Sequence, residues 1–176
     1  MNYADIKYCD VANGEGVRVS LFVSGCTHHC KECFNKEAWD FHYGEPFTQK
    51  EIDRILEYLK PNYIAGLSLL GGEPMEPVNQ EGILPLLRAV KQTYPEKNIW
   101  CYTGYLFDKD VLDKMCKESE VTKEIVSYLD IVVDGEFMID RKNLKINFRG
   151  SDNQRIIDVK KTLDAGEIVH WEREIQ

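Results

Sequence analysis

Strand-length apolar stretches alternate with stretches of helical periodicity along this chain, and that alternation narrows its fold more than any other feature. Val17–Val23 and residues 67–70, 98–102 and 131–133 read as strands. Between them, Ile52, Ile55, Leu56 and Leu59 fall on one helical face behind the capping-box pattern Thr48-Gln49-Lys50-Glu51, with Pro61 as the stop. Residues 82–93 repeat the helical spacing through Ile83, Leu86, Leu87 and Val90, and residues 108–129 hold one or two further helices. Residues 144–148 and 156–159 read as additional short strands. Such alternation with short connections implies mostly parallel pairing and right-handed crossovers. The expected class is α/β, and 176 residues fit a single domain, 1–176. Eight strand–helix units need about 250 residues, so a partial, open (β/α) barrel is expected rather than a closed one.

In parallel folds, ligands collect at the C-terminal ends of the strands. Here those ends carry the chain's most distinctive residues: the loop from Cys26 to Cys33, the turn Gly71-Gly72-Glu73-Pro74, then Thr103-Gly104 and Asp134-Gly135. Their convergence on one edge places a functional site there.

The charge balance excludes some functions. A formal net charge of −8 argues against broad electrostatic binding of nucleic acid. The longest apolar run, residues 63–70, is strand-sized and far short of the roughly 18 residues that cross a membrane. The N-terminal residues, with Asp5 and Asp10, lack the basic-then-apolar pattern of a secretory leader, so a reducing cytoplasmic setting is expected. There, clustered cysteines are metal ligands or redox groups more often than disulfides. One segment runs against the overall charge. From 141 to 161, Arg141, Lys142, Lys145, Arg149, Arg155, Lys160 and Lys161 face only Asp152 and Asp158, which is either a solvated face or a docking surface for an acidic or phosphate-bearing partner.

Cys26, Cys30 and Cys33, spaced C-x3-C-x2-C, bring three thiolates to one loop. Two metal chemistries use such a set. A [4Fe–4S] cluster ordinarily takes four cysteines, so three leave one iron open to bind and reduce a ligand. Zinc would close a tetrahedron with His28 or His29, and would make the chain a non-catalytic scaffold. Both histidines lie inside the first cysteine interval, an awkward place for a fourth ligand, and no second pair of cysteines follows; the spacing favours iron–sulfur. Cys9, Cys101 and Cys116 are scattered and read as packing thiols, and His28 and His29 as exposed loop residues.

With these residues in view, the chain resembles the radical S-adenosylmethionine superfamily, and within it the activases of glycyl-radical enzymes. The superfamily motif is matched by Cys26, Cys30 and Cys33, although Glu32 stands where many members carry an aromatic residue. The family's second motif is matched by Gly71-Gly72-Glu73-Pro74. Asn13-Gly14-Glu15-Gly16-Val17-Arg18 and the stretch Cys33-Phe34-Asn35-Lys36-Glu37-Ala38-Trp39-Asp40 resemble activase segments before the first strand and after the cluster. Val133-Asp134-Gly135-Glu136-Phe137 and residues 149–158 resemble the activases that serve anaerobic ribonucleoside-triphosphate reductase; an activase of pyruvate formate-lyase is the nearest alternative. Each segment also has a plain reading. Asn13 to Gly16 can be a turn, Trp39 and Phe41 can be packing residues of a covering loop, and Asn153, Gln154 and Arg155 can simply satisfy backbone groups.

The resemblance implies a radical S-adenosylmethionine fold, a [4Fe–4S] cluster on the three cysteines and S-adenosyl-L-methionine on the open iron. It implies one-electron cleavage to a 5′-deoxyadenosyl radical that takes hydrogen from a glycine of the reductase. A low-potential donor such as flavodoxin or ferredoxin supplies the electron. Gly71, Gly72 and Glu73 are then expected at the methionine end, Glu32, Cys33 and Phe34 beside the adenine, and Thr103 and Asp134 toward the ribose and sulfonium.

Overall fold

A computed structural model describes residues 1–173; the end of the 1–176 unit, 174–176, lies outside the described residues. Its strands are β1 (Asn2–Asp10), β2 (Val17–Val23), β3 (Glu45–Pro46), β4 (Ile64–Gly71), β5 (Asn98–Thr103), β6 (Ile131–Asp134) and β7 (Arg155–Asp158). Among the described residues they form one open seven-stranded sheet in the order β3-β1-β2-β4-β5-β6-β7. β2, β4, β5 and β6 are parallel, whereas β1 and β7 pair antiparallel at the flanks and β3 pairs antiparallel with β1. The class is α/β as expected, but the sheet is mixed, with parallel pairing confined to the centre. β1 escaped the sequence reading because its alternating pattern carries Asp5, Lys7 and Cys9, as suits a strand near a sheet edge.

The helices follow the sequence where local signals are strong. α1 (Gln49–Leu59) starts at Thr48 with a formed capping box to Glu51. α2 (Pro77–Thr93) begins five residues before the periodic stretch, because Pro77 fills the first-turn position where no amide hydrogen is needed. The 108–129 stretch divides into a π-helical segment (Phe107–Met115), a single turn α3 (Cys116–Glu118) and α4 (Glu120–Tyr128) capped by Ser119. α5 (Val159–Ala165) follows β7 and ends on Gly166 in the left-handed region.

The two faces of the sheet are buried by different means. Val19, Leu21, Val23, Leu67, Leu69, Ile99 and Val132 join the main core with Ile55, Leu59, Leu86, Leu87 and Val90 of the helices. The alternate residues face the other way. There Trp100, Ile131 and Val133 pack with Tyr102, Phe148, Ile156 and Trp171. Arg18 is fully buried on this side, donating to Ser68 Oγ (2.7 Å) and to the carbonyls of Leu67 (2.9 Å) and Glu15 (3.0 Å). Its guanidinium also lies 5.5 Å from the Trp100 ring centre.

Residues 144–148 do not form the expected strand. They run as turns inside a loop closed by the Lys142–Ser151 bridge, with Phe148 at φ +62°. The alternation of Leu144, Ile146 and Phe148 is real, but it turns these side chains into the wall of a cleft.

Candidate iron–sulfur site

The loops leaving the parallel strands enclose a cleft of ≈ 670 Å3 on the predicted edge of the sheet. The loop after β2 contributes Cys26, His28, Cys30, Cys33 and Phe34. The ends of β4, β5 and β6 contribute Leu70 to Glu73, Tyr102 to Gly104, and Val133 with Gly135. Phe137, Leu144, Ile146, Phe148 and Arg149 form the far wall.

The cysteine loop is shaped by its backbone. Gly25 leaves β2 at φ +101°, and the Phe41 ring lies 2.2 Å from where a side-chain carbon would stand, so only glycine fits. Gly25 and Cys26 amides donate to the carbonyls of Ala38 (2.7 Å) and Trp39 (3.2 Å), folding the segment after the third cysteine onto the one before the first. His29 and Glu32 take left-handed φ of +50° and +56°, each immediately before a cysteine, and the Cys33 amide donates to the Cys30 carbonyl at 3.1 Å. All three thiols are free and partly buried. Burial pushes the Cys26 thiol up to about 11 and also raises Cys30, so neither is a thiolate at neutral pH unless a bound cation stabilises it. The Asn35 amide donates to Cys33 Sγ at 3.4 Å.

The Gly-Gly-Glu-Pro turn is bound to this loop through main chain. Gly72 donates to the Val23 carbonyl (2.7 Å) and Glu73 to the Gly25 carbonyl (2.8 Å). A side-chain carbon on Gly72 would stand 2.6 Å from the Gly25 oxygen, and one on Gly71, at φ +106°, the same distance from Val23 backbone. Both glycines therefore let two backbones touch. Asn79 of α2 donates to the carbonyls of Ser24 (3.1 Å) and Glu73 (2.9 Å), fixing the turn against the loop.

Glu73 is 1% exposed and accepts four hydrogen bonds. Oε1 takes the Met75 amide (2.9 Å) and the Thr103 hydroxyl (2.7 Å); Oε2 takes the Gly104 amide (2.7 Å) and His28 Nε2 (2.9 Å). His28 Nδ1 faces Glu136 at 3.0 Å. Burial pulls the imidazole pKa down, but the two carboxylates outweigh it and take it up to about 9. His28 is thus a largely buried imidazolium bridging two strand ends, not the exposed loop residue expected from sequence. His29 is exposed and stacks on Trp39 at 4.4 Å.

Eight of the ten expected site residues line the cleft: Cys26, Cys30, Cys33, Phe34, Gly71, Gly72, Glu73 and Thr103. Glu32 is exposed outside the lining. Asp134 is fully buried outside it, its carboxylate taken by Arg155 (Nε 3.0 Å, Nη2 2.5 Å) and the Phe107 amide (2.7 Å). Asn153, Gln154 and Arg155 follow their plain reading in part. Gln154 accepts the Gly150 amide (2.8 Å) and donates to the Gly135 carbonyl (2.9 Å), and Asn153 donates to the Glu136 carbonyl (2.9 Å).

The donor set suits a cluster better than a single ion. Among the described residues, no three His, Cys, Asp or Glu side chains gather tightly enough to hold one metal ion. Of the two candidate fourth zinc ligands, His28 has both nitrogens engaged, and His29 is exposed and stacked on Trp39. A [4Fe–4S] cluster spreads its thiolates over separate iron corners and needs no such convergence, and thiol-only ligands are its usual donors.

The model of a 4Fe-4S single cluster domain matches residues 12–157. An anaerobic ribonucleoside-triphosphate reductase-activating protein from Pasteurella multocida is 40% identical over 158 residues, covering 89% of this chain and 96% of its own. That of Enterobacteria phage T4 is 43% identical over 158 residues (89% and 93%), and that of Escherichia coli K12 38% over 156 (88% and 96%). The chain belongs to this family of activating proteins. The family match takes in the whole cysteine loop, the glycine turn and every residue that lines the cleft.

Sequence reasoning missed His28, Tyr102 and Arg149 as cleft residues. His28 carried a signal in its position inside the cysteine motif and Arg149 in the basic 141–161 segment, whereas Tyr102 carried none.

Proposed function

We propose that this chain activates anaerobic ribonucleoside-triphosphate reductase as a radical S-adenosylmethionine enzyme in the cytoplasm. The observation that carries the reading is a single cleft lined by three free thiols and by the glycine turn, in a chain whose relatives are named activators of that reductase. The open mixed sheet is read as the partial barrel of such enzymes. Cys26, Cys30 and Cys33 would hold a [4Fe–4S] cluster. When bound, the cluster and S-adenosyl-L-methionine supply one-electron sulfonium cleavage to methionine and a 5′-deoxyadenosyl radical, which takes hydrogen from a reductase glycine.

The chain's own residues bind and orient. Gly71 and Gly72 bring main chain to the methionine end, and Glu73 offers it a negative charge now shared with His28. Cys33 and Phe34 line the adenine side, with Glu32 contributing backbone. Thr103 reaches the site beside Glu73, and Asp134 supports the ribose end by fixing the strand that carries Gly135. A flavodoxin or ferredoxin would deliver the electron. Phe137, Ile146 and Phe148 of the far wall would limit water at the reacting centre.

Anaerobically reconstituted, reduced protein given S-adenosyl-L-methionine should release 5′-deoxyadenosine, and Cys30→Ala should abolish release. Release that persists in Cys30→Ala, or none from a fully cluster-loaded protein even with the reductase present, overturns the reading.

A further inference from the structure

The glycine turn ends on a second buried carboxylate, outside the cleft lining, that the proposed mechanism does not use. Glu76 follows Glu73 through the turn, its amide donating to the Glu73 carbonyl at 3.2 Å. It stands at the N-cap of α2, where a side chain ordinarily accepts from the amides of its own helix, yet it makes no such bond. It reaches back to the cysteine loop instead. There Oε1 accepts the Thr27 amide (2.9 Å) and the Thr27 hydroxyl (2.5 Å), at the residue next to Cys26.

Its surroundings differ from those of Glu73. Both residues are buried, Glu76 at 6% exposure and Glu73 at 1%, but Glu73 has the His28 imidazolium against it. Among the described residues Glu76 has no cationic partner, and the hydrogen bonds its side chain accepts come from Thr27 alone. A buried charge without a counter-ion costs stability and is ordinarily paired or given up. Here the N-terminus of α2 partly offsets it, since the helix dipole favours an anion there. Burial, and after it the Glu76 charge, pushes the Tyr105 hydroxyl up, and that ring packs on His28 at 4.4 Å. The charge is therefore felt inside the packing of the cysteine loop.

We propose that Glu76 is a positioning residue that keeps the reduction potential of the cluster low. Through Thr27 it fixes the chain beside the first thiol, and its buried charge, without a counter-ion, opposes the arrival of an electron at that thiol's iron. Reduction is a one-electron transfer from the low-potential donor, with no bond made or broken, and a nearby fixed anion makes the added negative charge less favourable. Glu76 also takes up the Thr27 amide, a donor that would otherwise be free to raise the potential by bonding a cluster sulfur. A strongly reducing cluster is what sulfonium cleavage requires. The inference rests on the cluster proposed above and names a residue that tunes it.

The test is a redox titration of the reconstituted full chain, followed by electron paramagnetic resonance after iron and sulfide are assayed. It compares the native protein with Glu76→Gln, Glu76→Asp and Thr27→Val. Glu76→Gln removes the charge and keeps the shape, so its equilibrium should favour the reduced cluster about tenfold more, a rise of about 59 mV for one electron. Glu76→Asp keeps the charge and should stay closer to native than Glu76→Gln does. Thr27 is itself exposed, and Thr27→Val removes only a hydroxyl that offsets the charge, so it should not raise the midpoint. A rise in Thr27→Val overturns the proposal whether or not Glu76→Gln takes up cluster, because a loosened, wetter loop would produce it. An unmoved midpoint in loaded Glu76→Gln, or an equal rise in Glu76→Asp, overturns the tuning role alone. Native protein that takes up no [4Fe–4S] cluster overturns the functional reading and the inference with it.

Discussion

His28 Nε2 and Glu73 Oε2 lie 2.9 Å apart, joining the middle of the cysteine motif to the glycine turn of the next parallel strand. Glu136 holds the other side of the same ring, so one imidazolium ties together the ends of β2, β4 and β6. Under the proposed function, a cofactor ammonium at this turn would meet a carboxylate oxygen that already has a cationic donor.

Removing that competitor should therefore favour the cofactor. His28→Ala is expected to tighten S-adenosyl-L-methionine binding to the cluster-loaded protein about three- to tenfold, by relieving a self-occupied site. Calorimetry under anaerobic conditions measures it. Weaker binding would mean that His28 positions the loop and does not compete.

Arg18 anchors the opposite end of the same sheet face. Its donors are met by Ser68 and by main-chain carbonyls rather than by an acid. Arg18→Ala leaves those carbonyls buried and unpaired and strips the Trp100 ring of its cover. A loss of about 3 kcal/mol is expected in urea unfolding, a size tied to broken buried hydrogen bonds and a new cavity. A loss below about 1 kcal/mol, as for surface changes, would show that water replaces the guanidinium.

How far the sequence revealed this arrangement depended on whether the signal was local. The α1 capping box, the strand before the cysteines and the Gly71-Gly72 turn are set by neighbouring residues, and the structure keeps each of them. Of the antiparallel flanks, β7 matches the short strand expected at 156–159, whereas β1, although it pairs with the neighbouring β2, is hidden by the Asp5, Lys7 and Cys9 in its pattern. The 144–148 alternation misled because period-two burial can serve a cleft wall as well as a strand. Asp134 carries a related ambiguity: a polar residue at a strand end can face a cross-strand partner, here Arg155 of β7, as readily as a ligand. His28 could be located from its motif, but its two carboxylate partners come from Glu73 and Glu136, far along the chain.

Asp108 and Arg155 form a pH-dependent contact. The Arg155 hydrogen bond, at 2.9 Å, holds the Asp108 carboxyl below its ordinary 3.8. A lowered folded pKa means that the stabilisation is present above pH 3.8 and is lost as pH falls through the folded value. The pair is partly solvated, so Asp108→Asn should cost only about 0.5–1 kcal/mol near neutrality, after screening. Urea unfolding from pH 7 down to pH 3 should show the gap between native and variant proteins closing on the acid side. A gap that widens in acid would contradict the assignment.

Glu32 holds a left-handed φ of +56° with its side chain exposed. Glycine takes that conformation without the penalty of about 1–2 kcal/mol that side chains bear, though it costs more entropy on folding. Glu32→Gly should thus leave the thermal midpoint and cofactor affinity close to native. A several-fold drop in affinity would show that the Glu32 side chain, and not its backbone, meets the cofactor.

The most direct test of the account mixes reconstituted, reduced protein with S-adenosyl-L-methionine and anaerobic ribonucleoside-triphosphate reductase, and follows the reductase by electron paramagnetic resonance. The account predicts a stable glycyl radical on the reductase that forms together with 5′-deoxyadenosine and is absent with Cys26→Ala, Cys30→Ala or Cys33→Ala. A fully loaded native protein that cleaves the cofactor yet leaves the reductase without a radical would contradict it.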